Sequence, residues 1–469
     1  MSRAADDRAG RGRSREKGGF AETVAAELGA EVERLIGAGP ADGIDFEAVE
    51  TAARRLALEV VGKALAARLN ADRTDEKGSG QPCACGATAR YAGRRPKTFT
   101  TALGELGLER AWYHCKRCGA GFAPRDRALG LEGTSLSAAA LRMTGLAAAR
   151  VSFGETSELL RELAGLDIDA KSAERHAEAL GREVADDELA VVEPEPTDAR
   201  TLYLGLDGTG VPVRKAETAG RKGKQPDGSA RTREAKIVAV WSAETLDRDG
   251  HPVRDADSAT YSAAIETVAG RDTDTAPSPF AARALREAGR RCFASAPRRV
   301  VLGDGAAWIW NWADEHAPGA IQIVDIFHAK QHLSEVAKAI YGAGTDLADR
   351  WGKTRRDELD QGRLDDILAA LRAHADSCDD ARKCIDYIDA NRHRMRYPEF
   401  RGMGLCVATG VVEGGCKNIV GSRLKRGGMH WTVDGANAIV ALRCAILSNR
   451  FDDFWERRAC RKTTAVSQI

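Results

Sequence analysis

The chain of 469 residues carries 70 Lys and Arg against 69 Asp and Glu, a net charge of +1. Apolar residues make up 43% and charged residues 30%, which excludes a disordered polyelectrolyte. Gly and Pro, 48 and 14, exclude a collagenous chain, and no apolar run reaches the ~18 residues of a membrane-spanning helix. The opening stretch MSRAADDRAGRGRSREKGG lacks an apolar core, so a cytoplasmic rather than secreted protein is expected.

In chain order, residues 1–19 read as a disordered leader. Residues 20–75 read as a helical hairpin of Phe20–Ile36 and Phe46–Leu69, the second with Phe46, Val49, Ala53, Leu56 and Val60 at helical spacing. Residues 81–126 switch to β-formers and Gly-rich turns. Residues 135–190 are helical again, and the break Gly165–Asp169 between two stretches outlines a helix-turn-helix. The acidic, proline-bearing stretch Val192–Asp198 predicts a domain boundary.

Strand signals follow at Thr201–Leu206, Val211–Arg214 and Lys236–Ser242. After them come a helix at Pro279–Gly289, a strand at Arg299–Leu302, a helix at Ala306–Glu315, a strand at Ile321–Val324 and a helix at Ile326–Ile340. This is a mixed α/β layout over 199–342 and 400–450. It is interrupted by a charged, all-helical insertion over 343–399 and closed by a helix at Gly435–Leu447.

Of eleven cysteines only Cys83, Cys85, Cys115 and Cys118 are grouped. Two close pairs of thiolates are what tetrahedral Zn²⁺ wants, and Gly86 and Gly119 supply the turns after each pair. A structural zinc ribbon is expected, with His114 as a substitute ligand. Four reduced thiols in a small β-module is the competing reading, and the other cysteines are expected to pack as small hydrophobes. Arg90, Arg94, Arg95 and Lys97 lie in this module without an intervening acid, a surface suited to phosphates.

Asp207 and Asp304 each stand where a predicted strand ends, a place where open α/β sheets bind ligands. Two such carboxylates can share Mg²⁺, and Glu413 supplies a third. Lys417, Arg423, Lys425 and Arg426 follow Glu413, a basic strip fit for a phosphodiester. Asp-Gly is also the commonest hairpin pair, so Asp207-Gly208 and Asp304-Gly305 have a turn reading as well. Asp325 closes the Ile321–Val324 strand with His328 three residues on; a helix N-cap is the plainer reading of that pair.

LDGTGVP around Asp207, VVLGDGAAWIWN around Asp304, VDIFHA around Asp325 and GVVEGGCKNIVGSRLKRGGMHWT around Glu413 resemble the DDE transposases of bacterial insertion sequences, in particular the ISKra-type family related to Mutator-like transposases. The cysteine-bearing stretch from Cys83 to Asp126 resembles that family's zinc-ribbon region.

The resemblance implies an RNase H-like catalytic core with the all-helical insertion before its last acid. Asp207, Asp304 and Glu413 would be the catalytic triad holding two Mg²⁺ (or Mn²⁺) ions, Asp325 and His328 an accessory pair, and the four cysteines a structural Zn²⁺ site. The ribbon and helix-turn-helix would bind the terminal inverted repeats as double-stranded DNA. Cleavage and strand transfer would occur in a homo-oligomer assembled on DNA, associated with the nucleoid and not with a membrane. Two alternatives remain: a zinc-ribbon/helix-turn-helix regulator with an inactive core, and an RNase H-like nuclease without strand transfer.

Overall fold

In the computed structural model the described residues are 25–26, 29–31, 33–34, 45–191, 193–223, 225–268 and 277–467. The expected leader and most of the first expected helix, Phe20–Ile36, lie outside them. The chain divides into two units, residues 1–176 with 455–469 and residues 177–454. The division falls within the helix Ala170–Ala190 and not at Val192–Asp198. The reason is chemical, because Glu195 is bound by Arg450 at 2.6 and 2.8 Å and so belongs to the second unit.

In the first unit the helix Phe46–Ala71 starts at Asp45, whose carboxylate accepts from the Ala48 N–H. The β-formers that follow make a four-stranded antiparallel sheet: β1 (Gly80–Pro82), β2 (Thr88–Thr101), β3 (Gly104–His114) and β4 (Gly121–Phe122), in sequential order. Phe99, Leu108 and Leu131 pack on Ala66 and Leu69 of the helix, while Ala89, Ala111 and Tyr113 pack with the cysteines. Buried Asp75 ties the layers together, accepting from Arg94 at 3.0 Å, Arg125 at 3.1 Å and the Ala111 N–H at 2.8 Å.

Next come the helices Ala138–Ala148 and Phe153–Leu159, the latter opened by a Ser152/Glu155 capping box. A π-helical turn, Leu160–Ala164, ends at left-handed Gly165, and the chain re-enters helix at Ala170. The expected helix–break–helix outline is present.

The second unit is built on a five-stranded sheet of β5 (Thr201–Pro212), β6 (Thr232–Ser242), β9 (Thr260–Ala264), β10 (Arg298–Gly303) and β11 (Ile321–Val324), ordered β11-β10-β5-β6-β9. A small ribbon, β7 (Thr245–Leu246) with β8 (Pro252–Val253), lies between β6 and β9 in sequence. Strands β5, β10 and β11 run parallel, and β6 is antiparallel to both its neighbours.

Residues 201–206 are all buried, as expected of a central strand covered on both faces. The expected separate strand at Val211–Arg214 is instead the continuation of β5. Gly208 and Gly210 allow it, because a Cβ there would meet the Glu234 carboxylate at 2.5 Å and the Thr232 hydroxyl at 3.1 Å.

Helix Ala307–His316 crosses from β10 to β11, and Ile326–Tyr341 leaves β11. The insertion comprises Asp346–Asp360, Leu364–Arg372, Asp379–Asn391 and Tyr397–Gly402, around a core of Leu359, Ile367, Leu368, Leu371 and Ile388. The helix Ile326–Tyr341 that leads into it and the segment that leaves it meet at the sheet: Ile326 N–H donates to the Val407 carbonyl at 3.1 Å, and Cys406 N–H to the Tyr203 hydroxyl at 3.1 Å. Helix Gly410–Gly415 then runs into a π-helical segment, Cys416–Gly421. The closing helix spans Val433–Leu447 and is buried on most of its circumference.

Candidate active site and cysteine centre

Strand β10 pairs with β5 through Arg298↔Thr201 to Leu302↔Gly205. Asp207 and Asp304 each stand two residues beyond the last pair of that register, Asp304 just past the end of β10 and Asp207 within β5. Asp207 is no turn residue: it and Gly208 pair with Ile237 and Lys236 inside β5 and β6. Asp304 does begin a turn, with Gly305 at φ +101° and the Asp304 carboxylate accepting from the Ala306 N–H at 2.9 Å.

Asp207 senses the Asp304 charge. Burial pushes Asp207 above its ordinary range, the Asp304 charge adds to that, and the Cys416 thiol, the Gly208 N–H and His328 oppose it. Two hard-oxygen donors carried by neighbouring strands fit a divalent cation in donor type and in charge.

Glu413 lies in the helix Gly410–Gly415, which approaches the sheet over Gly205; a Cβ there would lie 3.1 Å from Val412 and 2.9 Å from the Trp241 ring. Thr409, Glu413 and Cys416 follow helical spacing and share a face. The two flanking members of that face touch the core carboxylates. Cys416 donates its S–H to Asp207 Oδ2 at 3.1 Å, and Thr409 donates its N–H and hydroxyl to Asp325 Oδ2.

Glu413 itself is exposed and paired with Lys417 at 2.7 Å. Among the described residues, Asp207, Asp304 and Glu413 are not a group whose ligand atoms all lie within 4.8 Å of one another.

Asp325 is 5% exposed and saturated. Its Oδ1 accepts from the His328 N–H at 2.9 Å as an N-cap, while Oδ2 takes both Thr409 donors. Asp325 and His328 are thus joined by a helix cap, and Asp325 bridges to Thr409. The His328 ring packs edge-on against His332 at 4.8 Å, and His332 lies 4.5 Å from the Tyr387 ring. Tyr387, from the insertion, donates its hydroxyl to the Asp304 carbonyl at 2.9 Å.

The basic residues divide. Lys417, Lys425 and Arg426 are exposed, with Lys425 Nζ donating to Thr209 Oγ1 at 2.6 Å. Arg423 departs from expectation: it is fully buried, with its guanidinium 5.0 Å from the Trp431 ring centre, and is withdrawn from any phosphate. In the first unit Arg90 and Arg95 are exposed, the latter over the Trp112 ring. Arg94 and Lys97 are instead tied down, Arg94 by Asp75 and the Glu109 carbonyl, Lys97 by the Thr134 carbonyl at 2.7 Å.

The four cysteines converge. Sγ atoms of Cys83 and Cys118 are 3.6 Å apart, as are those of Cys85 and Cys115, and all four lie within 4.8 Å of one another. Zn–S bonds of ~2.3 Å in a tetrahedron put sulfurs about 3.8 Å apart, so the spacing fits the ion. The two hairpins match: Gly86 N–H donates to the Cys83 carbonyl and Gly119 N–H to the Cys115 carbonyl, each at 2.9 Å, with both glycines left-handed. The tight C-x-C therefore closes as well as C-x-x-C, and His114, exposed at the end of β3, is not needed.

The Cys118 backbone N–H, first among several donors, holds Cys115 down to about 6. The Ala87 N–H favours the Cys85 thiolate, but burial and the other three thiols push it up to about 12. A second group, Asp247, Asp249 and His251, is exposed on the β7–β8 turn.

Sequence reasoning missed Thr409, Cys416 and Tyr387. The first two carry a legible signal, since they stand four residues before and three after Glu413. Tyr387 carries none, because only the folded insertion brings it to Asp304.

No family model and no curated protein matches the chain. Among solved structures, the Drosophila P element transposase strand transfer complex aligns at 9% identity with a TM-score of 0.22, covering 67% of this chain and 79% of that one. Likeness at that level fixes neither fold nor function. Among the described residues no helix is long and apolar enough to cross a membrane.

Proposed function

We propose that the chain is a DDE transposase of the ISKra type, cleaving and joining DNA at the ends of an insertion sequence. What supports this reading is that Asp207 and Asp304 each follow by two residues the last paired positions of β5 and β10, Gly205 and Leu302, and that Thr409 and Cys416 tie the Glu413 segment to Asp325 and Asp207. The mixed five-stranded sheet, with a helical excursion before the last acid, supports an RNase H-like core.

Asp207 and Asp304 would hold the cations, and Glu413 would join them on leaving Lys417. The ions, when bound, supply an activated water and neutralise charge on the leaving 3′ oxygen. The chain's own work is placement. Gly208 and Cys416 each hold one oxygen of Asp207. Tyr387 holds the Asp304 turn through its carbonyl. Asp325 fixes the first turn of the Glu413 helix. Lys417, released from Glu413, with Lys425 and Arg426, lines the approach of a phosphodiester.

The four cysteines would hold a structural Zn²⁺ that stiffens the β1–β4 module, and Arg90 and Arg95 on that module would contact the terminal repeats. Strand transfer to a target duplex would proceed in a homo-oligomer on DNA, at the nucleoid.

The test is incubation of the purified chain with DNA spanning its own element boundary, in Mg²⁺ and in Ca²⁺. Mg²⁺-dependent nicking at the boundary, lost in Asp304→Ala with DNA binding retained, is expected. Binding without nicking in Mg²⁺ or Mn²⁺ refutes the enzyme reading, and nicking without strand-transfer products reduces it to a nuclease.

A further inference from the structure

Cys416 stands 209 residues from Asp207 in sequence and is buried in the fold. Its Sγ lies 3.1 Å from Asp207 Oδ2, while the Gly208 N–H holds Oδ1 at 2.6 Å. Each oxygen therefore has its own donor, one from the strand and one from the helix side. A residue merely filling the core has no reason to aim its one polar atom at a carboxylate, and the other buried thiols of this unit, Cys384 and Cys444, do not hydrogen-bond an acid. Cys416 stands where the α-helix Gly410–Gly415 passes into the π-helical segment Cys416–Gly421.

We propose that Cys416 is a positioning residue for Asp207, fixing the carboxylate rotamer in which both active-site acids face the same cation; this rests on the metal-dependent reading above. A carboxylate offers about four lone-pair positions, so the thiol donor and a cation share it without conflict. The donor also spans β5 and the Glu413 segment, so it aligns the first acid with the element that carries the third. Removing it frees Asp207 to rotate, and the cation must then reorder the side chain on binding.

The experiment titrates Mn²⁺ into the full-length, Zn-loaded protein without DNA and reads the shift in melting temperature, for wild type, Cys416→Ala, Cys416→Ser and Asp207→Asn. Wild type is expected to respond to Mn²⁺ and Asp207→Asn to lose that response. Cys416→Ala should raise the Mn²⁺ midpoint about fivefold, the loss of one modest hydrogen bond, while Cys416→Ser, which keeps a donor, stays within about twofold.

A Cys416→Ala midpoint equal to wild type, or equal weakening in both Cys416 variants, overturns the positioning role while leaving the metal site standing. If wild type and Asp207→Asn respond alike, the metal-dependent reading itself fails, and this inference with it. The Mg²⁺ midpoint for nicking should move in the same order.

Discussion

Replacing Asp325 by Asn tests whether the residue acts as a strut or as a metal ligand. The carboxylate receives three donors, His328 N–H on Oδ1 and Thr409 N–H and hydroxyl on Oδ2. Asn retains an oxygen for His328 but turns an NH₂ toward Thr409. The Thr409 hydroxyl can rotate to accept, whereas its backbone N–H then faces a donor in a buried place. An unsatisfied buried N–H costs about 1–3 kcal/mol, and the lost charge assistance about 1 more, so about 3 kcal/mol is expected. For a unit of this size that is a fall in Tm of about 6 °C.

Six of the eight tryptophans, Trp241, Trp308, Trp310, Trp312, Trp351 and Trp431, lie in residues 177–454, so fluorescence melting follows that unit. Nicking should fall about 10- to 100-fold through misplacement of Glu413, while a Mn²⁺ response carried by Asp207 and Asp304 is retained. An Asp325→Asn protein that melts within about 1 °C of wild type yet has lost its Mn²⁺ response would refute the strut and place Asp325 among the ligands.

Glu287 is fully buried among Arg450 at 2.8 and 2.9 Å, Arg290 at 3.0 Å and Thr260 at 2.5 Å. Glu287→Gln should cost about 3–5 kcal/mol by urea unfolding, and no change in midpoint would discount the network. Burial alone would raise Glu287, but the Arg450 charge holds it below the usual carboxylate range. Its contribution is therefore complete above the unfolded pKa of about 4.3 and lost as pH falls through the lower folded value, a loss that the mutant's acid-unfolding profile should lack. Cys115→Ser should abolish the stoichiometric Zn²⁺ measured by mass spectrometry of metals, and a chelator should melt the β1–β4 module while leaving tryptophan signals of residues 177–454 in place. Tyr387→Phe removes the donor to the Asp304 carbonyl, and a several-fold loss of nicking with unchanged DNA affinity is expected in a gel-shift and cleavage comparison.

The strands that position the acids were legible because each is a short, nearly continuous apolar run: TLYLGL, KIVAVWS, RVVL and IQIV all lie within observed strands. Strand β9, TYSAA, was not, since small residues carry little β signal and its place is set by pairing with β6. Glycines at 208 and 210 read as a break, yet they are what lets β5 continue beside Glu234 and Thr232. Helix Phe451–Ser467 also went unforeseen. At the candidate site Asp207, Asp304 and Glu413 could be picked out as candidates from strand context and motif order. Their supports could not, because the ties Asp325–Thr409 and Asp207–Cys416 join residues 84 and 209 positions apart. The burial of Arg423 was equally hidden, since a run of bases looks solvated until Trp431 is known to cover one of them.

The bond from Ile326 N–H to the Val407 carbonyl joins the chain where the helical excursion departs and where it returns. An excursion sealed at its own neck behaves like a module on a fixed socket. Lengthening it costs little, because each doubling of a closed loop adds only about 0.6 kcal/mol of closure entropy. The neck thus uncouples the size of the excursion from the alignment of the acids beneath it. Natural variation or engineered grafting can enlarge, trim or exchange the helices between these two points, provided a contact equivalent to Tyr387 is kept.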